Sequence, residues 1–180
     1  MRQLLLAAGA AAALLAGCSS MGGEAGDTLA GLTMPADPTP EQRVPYVAMA
    51  ASSDMYEIQS GQLAQQRAQN PSLRTFGGML VQHHTQTTQQ VMAAARAAGM
   101  NPPPPALTSM QAQMIQELQS APAGASFDRL YIRQQVPAHE MALALHSNYA
   151  RSGDTPSLKA AAAGAVPIVT QHLNQARQLD

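Results

Sequence analysis

A chain of 180 residues is enough for one ordinary domain and too short for two well-packed ones. Apolar residues make up 46% but aromatics only 3%, so the core must be built from Ala, Leu, Met, Val and Ile, which favours close-packed helices over a β-sandwich. Ten Lys and Arg against eleven Asp and Glu leave a net charge of −1 with no run of one sign, which disfavours nucleic acid as a partner.

The N-terminus reads as an address. Met1-Arg2-Gln3 precedes an Ala/Leu stretch from Leu4 to Leu15, shorter than the roughly 20 residues that span a bilayer and of the length of a secretory signal. Leu15-Ala16-Gly17-Cys18 resembles the lipobox of bacterial lipoproteins, in which the signal, here residues 1–17, is removed and the cysteine acylated. Cys18 is the sole cysteine, so it has no disulfide partner in the chain and reads as the lipidation site. In proteobacterial lipoproteins a following serine, here Ser19, implies the outer membrane, with the domain in the periplasm. The rest of segment 18–44 mixes Gly, Pro and small polar residues without apolar periodicity and reads as a disordered tether. The expected membrane contact is therefore the N-terminal lipid alone.

Residues 45–180 read as one helical domain. From Pro45 to Ala68, Val47, Ala50, Ala51, Ile58, Gly61, Ala64 and Ala68 recur at three and four and mark the inner face of a first helix. Asn70-Pro71 supplies a cap and a first-turn proline for a second, with Leu73, Phe76, Leu80, His84, Val91 and Ala95 inward as far as Gly99. Prolines 102 to 105 end it, and about 25 residues follow that contain a short amphipathic piece around Met110, Met114 and Leu118. A third long helix spans about 126–151, with Phe127, Tyr131, Ala138, Ala142, Leu145 and Tyr149 inward. Ser152-Gly153 breaks it, and Thr155-Pro156 repeats the cap-then-proline start of a fourth. Pro71-Ser72-Leu73-Arg74 and Pro156-Ser157-Leu158-Lys159 are alike enough to suggest an internal duplication of the hairpin. Short loops make each hairpin antiparallel, and the long connection can cross the domain. The expectation is an all-α four-helix bundle of ferritin-like connectivity with a long crossover between helices 2 and 3.

Five histidines are candidates for chemistry: His83, His84, His139, His146 and His172. In an antiparallel hairpin, residues equally far from the turn lie at one height. Positions 57 and 84 are centred on the Asn70-Pro71 turn, and 139 and 172 on the Thr155-Pro156 turn. Glu57 should therefore face His84, and His139 should sit level with His172. At about 1.5 Å per residue both pairs fall near mid-height of a bundle about 40 Å tall. Glu57, His84, His139 and His172, one from each helix, would suffice to hold a single divalent transition metal. Pro137 and Pro167 inside helices three and four would make room beside them. The competing reading is a metal-free Glu/His layer that fixes the register of a structural or interaction lipoprotein.

Di-iron oxidase or ferroxidase chemistry is disfavoured, because it requires carboxylates from all four helices and two Glu-x-x-His repeats, and the chain has none. Met79, His83 and His84 have a soft-metal spacing, but the eleven methionines are scattered along the sequence and read as core filling. No nucleophile arrangement or phosphate-binding loop is built, so no enzymatic reaction is assigned.

The run from Ala50 through Glu57, Gly61 and Ala64, with Asn70-Pro71, Met79 to His84, Phe127-Asp128, Tyr131, His139-Glu140 and Pro167 to Leu173, resembles the family called domain of unknown function 4142. The resemblance covers about 45–179. It implies an exported bacterial protein with a ferritin-like bundle and leaves the activity open. The position two before His84, often Asp in that family, is Gln82 here, which removes one carboxylate that could support the histidines.

Overall fold

The structure, a computed structural model, describes residues 28–29, 32–33 and 40–180. The expected signal, Cys18 and most of the tether lie outside the described residues. Within the tether segment, β1 (Thr28–Leu29) and β2 (Leu32–Thr33) pair antiparallel. The body is all-helical: α1 (Arg43–Arg67), α2 (Pro71–Ala97), α3 (Ser109–Ser120), α4 (Ala125–Ser152) and α5 (Pro156–Leu179). Among the described residues no helix is long and apolar enough to cross a membrane.

The starts of α2 and α3 and the stop of α2 follow from local chemistry. The Asn70 side chain accepts from the Ser72 amide and Pro71 opens α2, as expected. Gly99, at φ 75°, adopts the left-handed conformation that stops that helix. Thr108 and Gln111 form a reciprocal capping box on α3. Thr155 does not cap α5. Its hydroxyl donates to Asp154 Oδ1 instead (2.8 Å), because Asp154 is held over the start of α1, where it accepts from the Arg43 amide (3.2 Å) and the Tyr149 hydroxyl (2.8 Å).

These ties set the chain directions. The Asp128 carboxylate of α4 accepts from the amides of Gln69 and Asn70, each at 2.9 Å, so α4 begins where α1 ends. At the other end, the Asp154 amide donates to Glu41 O (3.0 Å) and Ser157 Oγ donates to Ala94 O (3.1 Å). The α1–α2 and α4–α5 turns therefore lie at opposite ends, and α3 lies in the connection that carries the chain back along the length of the body. Each long helix packs beside two others: α1 against α2 and α4, and α5 against α2 and α4. All four pairs run antiparallel.

The interior has two apolar clusters. One gathers Leu73, Phe76, Leu118, Phe127 and Tyr131, and the other Tyr46, Val91, Leu145, Tyr149 and Leu158. Burying each such Leu or Phe stabilises the fold by about 1.5–3 kcal/mol. In α2, α4 and α5 a buried histidine falls between the stretches that feed these clusters, and in α1 Asp54 and Glu57 do so. A polar layer thus crosses the middle of the core.

The inner faces match the sequence periodicity closely. On α1 the departures are Ile58, which is half-buried, and Asp54, Tyr56 and Ser60, which are buried. Leu73 and Leu158, the matching leucines of the two Pro-Ser-Leu turns, are both buried.

Candidate metal centre

His84 from α2, His139 from α4 and His172 from α5 each bring one ring nitrogen into a set whose members lie within 4.8 Å of one another. All three side chains are 0–1% exposed. The rings meet at centroid distances of 5.8 Å (His84–His139), 5.1 Å (His84–His172) and 5.4 Å (His139–His172). Three of the four residues expected to converge therefore do so. Glu57 lies just outside the tight set, with Oε1 3.8 Å from His139 Nδ1.

The outer nitrogen of each ring is committed. His84 Nδ1–H donates to Asp54 Oδ1 (2.7 Å), and His139 Nδ1–H donates to the Gln135 carbonyl (2.8 Å). His172 Nε2 is hydrogen-bonded to His83 Nδ1 (2.8 Å). The remaining nitrogens, His84 Nε2, His139 Nε2 and His172 Nδ1, are buried without a hydrogen-bond partner, as are both oxygens of Glu57. The bonds to Asp54 and the Gln135 carbonyl place the proton of His84 and His139 on Nδ1, so their Nε2 lone pairs face inward, and His172 adds a third from Nδ1 in the tautomer that donates Nε2–H to His83. A buried polar atom without a partner costs about 1–3 kcal/mol. A cation placed among three imidazole nitrogens would satisfy all of them at once, so the residues fit a transition metal.

The electrostatics agree. Burial pushes His139 down to about 3, with the His84 charge adding to the effect, and burial lowers His172 as well, with the charges of His84, His139 and His83 adding to it. Burial also opposes charge on His84, but the hydrogen bond to Asp54 and its charge outweigh that and raise it. Burial lifts Glu57 to about 7 against the pull of His84 and the Gln135 amide. His139 and His172 thus stay neutral and able to ligate, and a bound cation would draw both Glu57 and the raised His84 toward their deprotonated forms.

Asp54 escaped the sequence reading. It is held by the Thr87 and Thr88 hydroxyls, each donating to Oδ2 at 2.9 Å, and it supplies the carboxylate whose loss at Gln82 seemed to weaken the site. Gln82 itself is exposed. The missed signal was present, since Asp54 is one turn before Glu57 and exactly as far from the Asn70-Pro71 turn as Thr87.

The other histidine of the core is separate. His146 Nδ1 shares a 3.0 Å hydrogen bond with the Tyr46 hydroxyl, and Tyr46 stacks on Tyr149 at 3.8 Å. Burial holds His146 down to about 4, below its ordinary 6.5. A depressed histidine contributes stability above its unfolded pKa and loses it as pH falls toward the folded one. Between about pH 6.5 and 4, wild type should therefore lose stability relative to His146→Phe by up to about 1.4 kcal/mol per pH unit. Parallel urea-unfolding free energies across that window would refute the assignment.

The methionines are less scattered than the sequence suggested. Met49, Met110, Met114 and Met141 line a crevice of about 400 Å³ between α1, α3 and α4. Glu140, adjacent to His139, takes no part in the site and pairs with Arg177 at the surface (2.6 Å).

The family model described as "Domain of unknown function (DUF4142)" matches residues 30–179. Among solved structures, the fold is similar to "CopM in the Cu(II)-bound form" (19% identity, TM-score 0.64, 76% of this chain and 94% of that one). It is also similar to "CopM in the Ag-bound form (by co-crystallization)" (20%, 0.62, 76% and 93%) and "CopM in the apo form" (19%, 0.60, 76% and 94%). No curated protein matches the chain.

Proposed function

The chain belongs to the DUF4142 family, and on that premise we propose that it is an envelope metal-binding lipoprotein built as a ferritin-like four-helix bundle. One transition-metal ion would be held by His84, His139 and His172, with Glu57 completing the charge balance beside His139. The observation that carries this reading is the set of three buried imidazole nitrogens, one from each of three helices, that face one another without a partner. Imidazole suits Zn, Cu, Fe or Ni. The likeness in fold to a protein solved with Cu(I), Cu(II) and Ag makes copper the first ion to test.

When bound, the ion would supply positive charge at the centre of the polar layer. The chain's own residues do the rest: Asp54 and the Gln135 carbonyl fix the tautomers of His84 and His139, and Phe76, fully buried, packs against His139 and His172. Elemental analysis of the untagged protein after equilibration with Cu(II) or Zn(II) should give one ion per chain. A His84→Ala, His139→Ala double variant should give none. Equal metal in the two proteins, or substoichiometric metal in wild type, would favour the metal-free polar layer instead.

The address belongs to the same proposal. Cys18 would carry the lipid and Ser19 would direct the protein to the outer membrane, with the helical domain in the periplasm. Mass spectrometry of the membrane fraction should find an acylated N-terminus at Cys18, and Cys18→Ala should abolish it. A mature N-terminus elsewhere would overturn the anchor.

A further inference from the structure

The three histidines of the centre are closed off from water, so an ion can reach them only by way of some group at the edge of the layer. Of the side chains shown above to touch the three rings, Asp54, Glu57 and Phe76 are buried, and only His83 is half-buried. The Asp54 side is occupied by the hydroxyls of Thr87 and Thr88, and the Phe76 side is apolar. His83 differs from both. Its ring lies nearly parallel to that of His172 (15°, centroids 5.1 Å apart), and its Nδ1 is 2.8 Å from His172 Nε2.

His172 is thus two-sided: Nδ1 faces the buried set without a partner, while Nε2 faces a histidine that reaches toward solvent. Two ring nitrogens 2.8 Å apart share one proton. An ion with nitrogen ligands at about 2.0–2.1 Å can take the place of that proton, which passes to the other nitrogen of the ring that carried it, if the pair opens by about an ångström. The half-buried His83 ring is the one with room to swing outward, since His172 is packed among Phe76, His84 and His139. Met79, one turn before His83 on α2 and also half-buried, places a thioether on the same side of the helix.

The geometry points to a second, outer metal position formed by His83 Nδ1 and His172 Nε2, through which a transition-metal ion enters and leaves the buried three-histidine centre. This rests on the metal reading of that centre and adds to it a route. His172 belongs to both positions, so reorientation of its ring carries the ion inward while His83 returns to the surface.

The test is stopped-flow loading of the full chain with Co(II), whose visible spectrum reports its coordination, followed by release into excess EDTA. In His83→Gln, which keeps a hydrogen-bonding group for His172 Nε2 and removes both ring nitrogens, loading and release should slow together by about tenfold or more. Equilibrium affinity should stay within about threefold, and the saturated spectrum should be unchanged. His83→Phe, which removes the hydrogen bond to His172 as well, serves as the second variant: loading should slow in it too, with affinity lower by up to about 10–100-fold and the saturated spectrum unchanged. Unchanged rates would overturn the entry role and leave the inner centre standing. An altered saturated spectrum would also overturn it, since His83 would then belong to the resident ligand set. A wild type that binds no Co(II), Cu(II) or Zn(II) would overturn the centre itself, and the route with it.

Discussion

Replacing Asp54 with alanine should lower metal affinity by about 10–100-fold and destabilise the metal-free fold by about 3–5 kcal/mol. The carboxylate is buried between α1 and α2, where it accepts from His84 Nδ1–H, Thr87 and Thr88 at 2.7–2.9 Å. Removing it leaves the buried His84 ring N–H without an acceptor and the Thr87 hydroxyl with only the His84 carbonyl (3.2 Å), and takes away the charge that keeps His84 able to hold a cation. It also frees the His84 ring to turn, so the inward nitrogen loses its aim. Asp54→Asn separates the two effects. The amide oxygen still accepts from His84, so part of the stability should return, while the lost negative charge leaves affinity low. Urea unfolding and competition titration with Zn(II) give the two numbers. An Asp54→Ala protein within about 1 kcal/mol of wild type, binding metal equally well, would show that Asp54 neither supports the layer nor orients His84.

How the layer could be foreseen, and where foresight stopped, follows from the kind of contact involved. Helix positions were legible because a 3.6-residue period of apolar residues is set by the core face, and Asn70-Pro71 marks a helix start by local chemistry alone. The levels of Glu57, His84, His139 and His172 were legible because a short turn fixes which residues lie opposite each other within a hairpin. That rule holds only inside a hairpin. His83 meets His172 across α2 and α5, which no short turn connects, so nothing in the spacing pairs them. The four methionines along the crevice likewise come from three helices whose arrangement depends on the path of α3. Thr155 looked like a cap because Thr-Pro is a cap signature, and it was overruled by Asp154, whose partners on α1 are more than a hundred residues away. Asp54 belongs to a different class, since the hairpin rule covers it, and it was passed over because only histidines were being paired.

Gly61→Ala and Gly77→Ala should each destabilise the fold by about 1–3 kcal/mol, although alanine is the better helix former by about 1 kcal/mol. The reason is the closeness of α1 and α2 at this point. A Cβ at Gly61 would lie 2.6 Å from the Gly77 carbonyl oxygen and 3.1 Å from a Val81 methyl, and one at Gly77 would lie 2.6 Å from the Gly61 carbonyl oxygen and 2.8 Å from Ala64 Cβ. Both obstacles are backbone, so the helices must separate. Gly164 is the internal control: it is exposed on α5, a Cβ there meets nothing within 4 Å, and Gly164→Ala should stabilise by up to about 1 kcal/mol. The consequence reaches the metal centre, because Gly61 is one turn from Glu57 on α1 and Gly77 two turns from His84 on α2. A wedge between these helices would draw Asp54 away from His84 and weaken metal binding in a protein whose histidines are all intact. Thermal melts of the three variants, with Zn(II) affinities measured beside them, should show Gly61→Ala and Gly77→Ala losing both properties and Gly164→Ala losing neither. If the two interior variants melt as wild type, the close approach of α1 and α2 does not set the geometry of the polar layer.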